Sequence, residues 1–343
     1  MRNRLRNGRA VTLVDVAEYA GVSASTASRA LNGRGELSSE TRAAVLEAAD
    51  VLQFQPSHLA RSLRTRTTFT VGFVVPDVSS PFYAAALKGA QVALEQAGYR
   101  VMLMDCEQSA AGEVAALRTL LSHRVDGLLL STVGIEREVF EDVVGRRGVP
   151  CVFFDSALSD AGDGTVMLDN VAGIDLLVDH IVAHGHRSIG FLAGSTSETS
   201  GRERLDAFRA AMRRHGLDVQ AAHVDGERWS RDDAAASTRR ILTAATRPTA
   251  LVSSSVELAL GALLACRELG LTIPDAVALA TFDDAYFAEL LDPPLTAVAY
   301  DPSNVGRQAA ELLVEAMQDD ESARRDVTIP VTLVARRSCG CPS

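Results

Sequence analysis

The chain reads as an α/β protein. A small N-terminal helix-turn-helix bundle precedes a two-lobed core of doubly wound parallel sheets. Three observations predict this. Two short runs with apolar residues at helical spacing flank Gly21 within residues 11–31. From Phe69 onward, short apolar runs alternate with helical segments, and the alternation restarts after about residue 170. Charge is also divided: of 34 Lys and Arg and 44 Asp and Glu, residues 1–66 hold ten Arg and six acids, leaving 24 basic and 38 acidic residues for the rest. A basic head on an acidic body is the asymmetry expected when only the head meets phosphate.

At 343 residues the chain is long enough for two or three domains. With 47% hydrophobic and 23% charged residues it has the composition of an ordinary globular protein. No apolar run is long enough to span a bilayer, and the N-terminus MRNRLRNGRA lacks the apolar stretch of a secretory signal, so a cytoplasmic location is expected. The five cysteines, Cys106, Cys151, Cys266, Cys339 and Cys341, mostly sit in apolar runs, which favours buried reduced thiols. Cys339-Gly340-Cys341 has no second ligand pair beside it in sequence, so no metal and no cofactor are expected.

The elements follow in order. Residues 1–9 form a basic arm, equally suited to phosphate contact or to solubility. In the first helical run Leu13, Val16, Ala17 and Ala20 share a face; in the second, Thr26, Ala27, Ala30 and Leu31 do. Gly21 suits a turn at positive φ, and Ser23 suits the N-cap of the second helix. Ala24, Ser25, Ser28 and Arg29 must then face outward, a small polar face that fits a DNA major groove. Asn32-Gly33-Arg34-Gly35 is a turn, and Ser38 caps a third helix carrying Val45, Ala48, Ala49 and Leu52. Pro56 stops the chain before a short amphipathic helix over 57–64 and a linker to Thr68.

In the core, strands are predicted at 70–75, 100–105, 126–131, 150–155, 188–192, 221–225, 250–254 and 277–282. Helices are predicted at 82–96, 110–123, 135–146, 171–184, 202–215, 231–245 and 257–269. Ligands in such sheets sit beyond the carboxyl ends of the strands, which here means a cleft between the lobes. Asp77, Asp105, Ser131, Asp155, Ser255 and Asp283 all end strands and are expected on its rim. His184 and His186 flank Gly185 at a helix end, where capping accounts for them.

Several motifs together resemble the lactose-repressor/purine-repressor (LacI/GalR) family of bacterial transcription regulators. They are VTLVDVAEYAGVS with S-R-A-L-N-G, then PSHLARSL, VGFVVPDVSSPFY, RVDGLLL, HGHRSIGFLAG, RERLDAF, FDDAYFAELLDPPLT and a terminal RRS. The resemblance runs from about Val11 to Ser338. It implies a helix-turn-helix DNA-binding domain at 1–55 and a hinge helix and linker at 56–66. It also implies a periplasmic-binding-protein-like effector core at 67–343, with an N-lobe of about 67–168 and 300–325 and a C-lobe of about 169–299 and 326–343. It places base reading on Ala24, Ser25 and Arg29, and phosphate contact on Thr12, Ser23, Ser28, Asn32, Ser38 and Thr41. Arg29 suits bidentate contact to guanine, and the Ala24 methyl suits a thymine methyl. Ser57 and Ala60 are implied as further DNA contacts, and Leu63 as a minor-groove wedge. In the core the resemblance assigns effector binding to Arg204, Asp283 and Trp229, with Phe82, Tyr83, Ser131, Asp155, Ser255 and Tyr300 on other cleft positions. An ordinary core Trp is the alternative for Trp229. Two positions depart from the family pattern: Ser255-Val256 where many relatives have Asn-Asp, and Thr281 where Gly is frequent.

The function implied is a sequence-specific repressor, most simply of a sugar-metabolism operon. It would bind a palindromic double-stranded operator as a homodimer, under control of a sugar or sugar-derived effector. No leucine-heptad tail points to a tetramer. An enzyme is the first rival. No Gly-rich phosphate loop, G-x-S-x-G elbow or H-E-x-x-H is present. A small-molecule receptor sharing the two-lobed core would lack residues 11–66, and an orphan regulator without effector is the remaining alternative.

Overall fold

In a computed structural model of the chain, residues 11–31, 37–54, 67–318 and 324–341 are described. Asn32 and the whole 56–66 segment, with Ser57, Ala60 and Leu63, lie outside them, as does the basic arm. The chain divides into two compact units, Met1–Thr68 and Phe69–Ser343.

The first unit holds α1 (Leu13–Tyr19), α2 (Ala24–Leu31) and α3 (Ser39–Val51). Each start is fixed by a side-chain cap. Thr12 and Asp15 form a reciprocal capping box on α1. The Thr26 amide donates to Ser23 Oγ at 3.1 Å, and the Thr41 amide to Ser38 Oγ at 3.1 Å. Gly21 turns the chain at φ +66° between the first two helices. The helices bury a small core of Val16, Ala17, Ala27, Ala30, Val45 and Ala48.

The second unit is built on two six-stranded sheets. The first uses β1 (Thr70–Val75), β2 (Arg100–Asp105), β3 (Gly127–Leu130), β4 (Cys151–Phe154), β5 (Gly164–Leu168) and β11 (Arg325–Ile329). The second uses β6 (Ile189–Leu192), β7 (Val224–Asp225), β8 (Ala250–Ser253), β9 (Ala278–Phe282), β10 (Thr296–Ala299) and β12 (Thr332–Val334). Their orders, 2-1-3-4-5-11 and 7-6-8-9-10-12, repeat one doubly wound pattern. The buried strands are four to six residues long and almost wholly apolar or small, as parallel strands covered on both faces must be. Helices α4 (Pro81–Gln96), α5 (Ala110–Ser122), α6 (Arg137–Val143), α7 (Asn170–Ala183), α8 (Thr199–Arg214), α9 (Arg231–Leu242), α10 (Val256–Glu268) and α11 (Pro302–Gln318) cover them.

Two expectations need correction. The sequence places the end of the N-lobe near residue 325, but β11 runs parallel to β5 from Arg325 opposite Gly164 to Ile329 opposite Leu168. Its backbone hydrogen bonds thus complete the first sheet, and the last crossing falls at 330–331. The second sheet is not wholly parallel: β12, which enters it directly from the first sheet through residues 330–331, pairs antiparallel with β10. In the first lobe α11 lies directly on α4. A Cβ at Gly306 would stand 1.8 Å from the Ala86 carbonyl oxygen, and one at Gly89 1.9 Å from that of Ser303, so only glycines permit this approach.

Candidate functional sites: an exposed helix face and an interlobe cleft

On α2, Ala24, Ser25 and Arg29 are exposed while Ala27 and Ala30 are buried, so the helix presents the face its periodicity predicts. Ser28 is half-buried between the two. Ser23 Oγ lies 2.8 Å from Ser25 Oγ and 2.9 Å from Thr26 Oγ1. Ser38 Oγ lies 2.8 Å from Thr41 Oγ1. Thr12, Ser23 and Ser38 thus do structural work as caps. They also stand where first-turn amides and hydroxyls offer donors to phosphate oxygens.

Between the two sheets lies a cleft of about 630 Å³. Phe82, Tyr83, Asp155, Arg204, Trp229, Ser255, Asp283 and Tyr300 all line it. Ser131 does not; it stands behind, with Oγ 3.1 Å from the Tyr83 hydroxyl. Asp105 is also off the wall, accepting the amides of Val78 and Glu107 and so holding the loop that carries Asp77.

The two lobes contribute matching parts. Asp155 follows β4 and Asp283 follows β9, the fourth strand of each lobe in chain order, and both adopt left-handed φ, +61° and +74°. This conformation is tolerated by Asp and turns the carboxylates off the strand ends. The Tyr83 hydroxyl donates to Asp155 Oδ2 at 2.8 Å, and the Tyr300 hydroxyl to Asp283 Oδ1 at 2.5 Å. Burial raises the Asp155 carboxyl above the usual carboxylate range, and the charge of Arg204 opposes that rise.

Arg204 is 3% exposed and rigidly held. Its Nε donates to Asn170 Oδ1 at 2.8 Å and its Nη1 to the Ser254 carbonyl at 2.6 Å, with Asp283 Oδ1 at 4.0 Å. Its guanidinium sits 3.7 Å from the Phe282 ring centroid. Asn170 has no signal in the sequence; it opens α7 and donates onward to Glu203. Trp229 is half-buried. Its ring occupies the space that a Cβ at residue 194 would need, 2.2 Å away, and its remaining surface lines the cleft. Its buried Nε1 lies near Glu198 without closing a well-formed hydrogen bond. Glu198 itself is pushed up to about 8 by burial first and by the charge of Asp155 second. Asp77, Glu257, Asp284, Arg231 and Asp232 add further charged groups to the wall, and only Asp77 among them is anticipated by the sequence. Ser255, at the departure from the family pattern, is the N-cap of α10, its Oγ accepting the Leu258 amide at 3.3 Å. The other departure, Thr281, is fully buried and donates to the Phe282 carbonyl at 2.7 Å.

No ligand pair stands beside Cys339 and Cys341 in sequence, but the fold brings two histidines to them. His180 and His184, on the last turn and C-cap of α7, stand beside them, with Cys341 Sγ 3.2 Å from the Nε2 of each. The capping reading of His184 holds at its other nitrogen, Nδ1, which lies 2.8 Å from the His180 carbonyl. Among the described residues no helix is long and apolar enough to cross a membrane.

Comparisons with known proteins cover nearly the whole chain. Residues 12–57 match the profile of bacterial regulatory proteins of the lacI family, and residues 178–339 that of a periplasmic binding protein-like domain. The ribose operon repressor of Escherichia coli (strain K12) is 30% identical over 328 residues, spanning 95% of this chain and 99% of that protein. The HTH-type transcriptional repressor PurR of Photobacterium profundum is 29% identical over 327 residues, spanning 95% and 98%. The lac repressor dimer bound to operator and the anti-inducer ONPF superposes with a TM-score of 0.86 at 27% identity, covering 96% of this chain and 99% of that one. A complex of the transcriptional regulator CelR with cellobiose gives a TM-score of 0.72 at 29% identity, covering 96% and 99%.

Proposed function

The chain belongs to the lacI family of bacterial regulatory proteins and is a DNA-binding transcription regulator with a ligand-binding core; from that premise we propose that it is a homodimeric repressor released or recruited by a neutral sugar. The outward face of α2 reads base edges through Ala24, Ser25 and Arg29. Thr12, Ser23, Ser28, Ser38 and Thr41 hold phosphates. Two copies related by a two-fold axis read a roughly palindromic operator. The 56–66 segment, with Ser57, Ala60 and Leu63, follows in the minor groove.

The observation that carries the ligand reading is the pair Asp155 and Asp283, one from each lobe, flanking Arg204. Carboxylates accept from hydroxyls and a guanidinium donates to them, which is the donor-acceptor alternation of a polyol. Trp229 and Phe82 supply flat apolar surface for its C–H faces. Asp284 is paired with Arg336, but Asp77, Asp232 and Glu257 outnumber Arg231 on the wall, and the surplus of acids disfavours a sugar phosphate. Two relatives agree with this reading: one is a ribose operon repressor and one is solved with cellobiose. Occupancy of the cleft changes operator affinity by linkage, to the extent that the ligand discriminates between DNA-competent and incompetent states.

The test is a thermal-shift screen of the full chain against neutral sugars, sugar phosphates and nucleosides, followed by operator binding to DNA upstream of its own gene. A neutral sugar should raise the melting temperature and alter DNA affinity. Selective stabilisation by a nucleoside would overturn the ligand class. A regulator that binds DNA but no small molecule would be an orphan.

A further inference from the structure

Away from the cleft residues, α7 ends in His180 and His184, four residues apart and therefore on one helix face. The C-terminal segment brings Cys339 and Cys341 against that face. The donor atoms of His180, His184 and Cys341 all lie within 4.8 Å of one another. Cys339 Sγ is 3.1 Å from His180 Nε2 and 2.8 Å from Cys341 Sγ. From these contacts we propose that the protein binds one zinc ion through His180, His184 and Cys341, with Cys339 shifting to close the fourth position, as a structural clasp between α7 and the C-terminus.

Four features support the assignment. Two thiolates and two imidazoles are the donor set of tetrahedral structural zinc. Zinc–nitrogen bonds of about 2.0 Å and zinc–sulfur bonds of about 2.3 Å give tetrahedral donor separations of roughly 3.3–3.8 Å. The Cys341–His180 and Cys341–His184 separations of 3.2 Å need to widen by only a few tenths of an ångström, whereas the two sulfurs, 2.8 Å apart, must part by about 1 Å, the movement that brings Cys339 into place. The outer contacts are also set. His184 Nδ1 lies 2.8 Å from the His180 carbonyl, which selects the tautomer whose Nε2 lone pair faces Cys341. The Thr296 hydroxyl, 2.9 Å from the Arg336 carbonyl, also lies 3.1 Å from Cys339 Sγ and can turn its proton to the sulfur once that is a thiolate. In the metal-free thiol form the same sulfur has the Arg336 carbonyl at 3.1 Å. Finally, a Cys-x-Cys spacing is tighter than usual for zinc, and Gly340 answers it. Its φ of +86° reverses the chain between the two sulfurs so that both face α7.

The clasp has a clear mechanical role. β12 is a three-residue edge strand with three paired positions, too short to be secure alone. The metal would fasten the chain shortly after it onto α7, whose first residue, Asn170, orients Arg204.

The test uses tag-free full-length protein purified under reductant. Elemental analysis should find one zinc per chain. Protein stripped with chelator should recover one equivalent on adding zinc, with a higher melting temperature. Cobalt in its place should give the ligand-field bands of a tetrahedral site with thiolate charge transfer. His184→Gln and Cys341→Ser should fold, by circular dichroism, yet lose the metal and its thermal increment. Failure of reduced, stripped protein to retain zinc would overturn the proposal. So would full zinc retention by a chain carrying both His184→Gln and Cys341→Ser, or a Cys339–Cys341 disulfide in protein kept anaerobic throughout.

Discussion

The head and the core of this protein solve opposite problems. Among its described residues the head buries six small side chains, four of them alanines, and leaves the candidate base-reading residues exposed on one helix. The core buries Phe73, Phe154, Phe191, Phe208 and Phe282 among many others and hides its informative residues in a cleft. A small unit has little surface to remove from water and so has little stability in reserve. A larger one can bear the burial of Arg204, Asp155 and Glu198.

Substitutions can break this contrast. The largest effect is expected at Arg204. Arg204→Ala removes two buried hydrogen bonds and the cation beside Asp283, and truncating one partner of such a pair costs about 2–5 kcal/mol. The ligand's thermal shift and its effect on DNA should vanish while basal operator binding persists; a normal ligand response would remove Arg204 from the site. Arg29→Ala should forfeit about 1–3 kcal/mol of discrimination at one base pair, seen as converging affinities for operator and scrambled DNA. Ligand binding should be untouched. Val16→Ala, in the smallest core, should cost the head about 2 kcal/mol and lower the temperature at which operator binding fails. An equal loss in the ligand-induced shift would mean the two units do not unfold separately.

The most gradual effect is a slope with pH. A buried acid whose folded value is raised binds its proton more tightly folded than unfolded. Stability is then greatest below the unfolded value and falls as pH rises to the folded one. For Glu198 that window runs from 4.5 to about 8, with a slope of at most about 1.4 kcal/mol per pH unit. Glu198→Gln should flatten the pH dependence of the melting temperature across it. An unchanged slope would assign the dependence to other groups, such as Glu113, pushed up to about 7 chiefly by burial.

Legibility follows the same division. The outward face of α2 can be read because helical spacing alone decides it, and the boundaries of β1 and β2 match the sequence reading to the residue. β5, β10, β11 and β12 escape that reading. β11 and β12 lie at sheet edges, where half-exposed or exposed residues such as Arg325 and Thr332 carry weaker apolar patterning. The cleft residues at strand ends are reachable through family resemblance. Asn170, Glu257 and Asp284 are not, since each begins or follows an element for ordinary local reasons. The His–Cys cluster joins residues 161 apart, and nothing short-range in the chain announces it.

The repeated strand order has one further consequence. Asp155 and Asp283 occupy equivalent places in two similar halves, so a ligand held by carboxylates alone could dock in either of two poses related by a half-turn. Arg204 and Trp229 belong to one half only, and they break that degeneracy. Exchanging their side would be expected to flip the guest end for end.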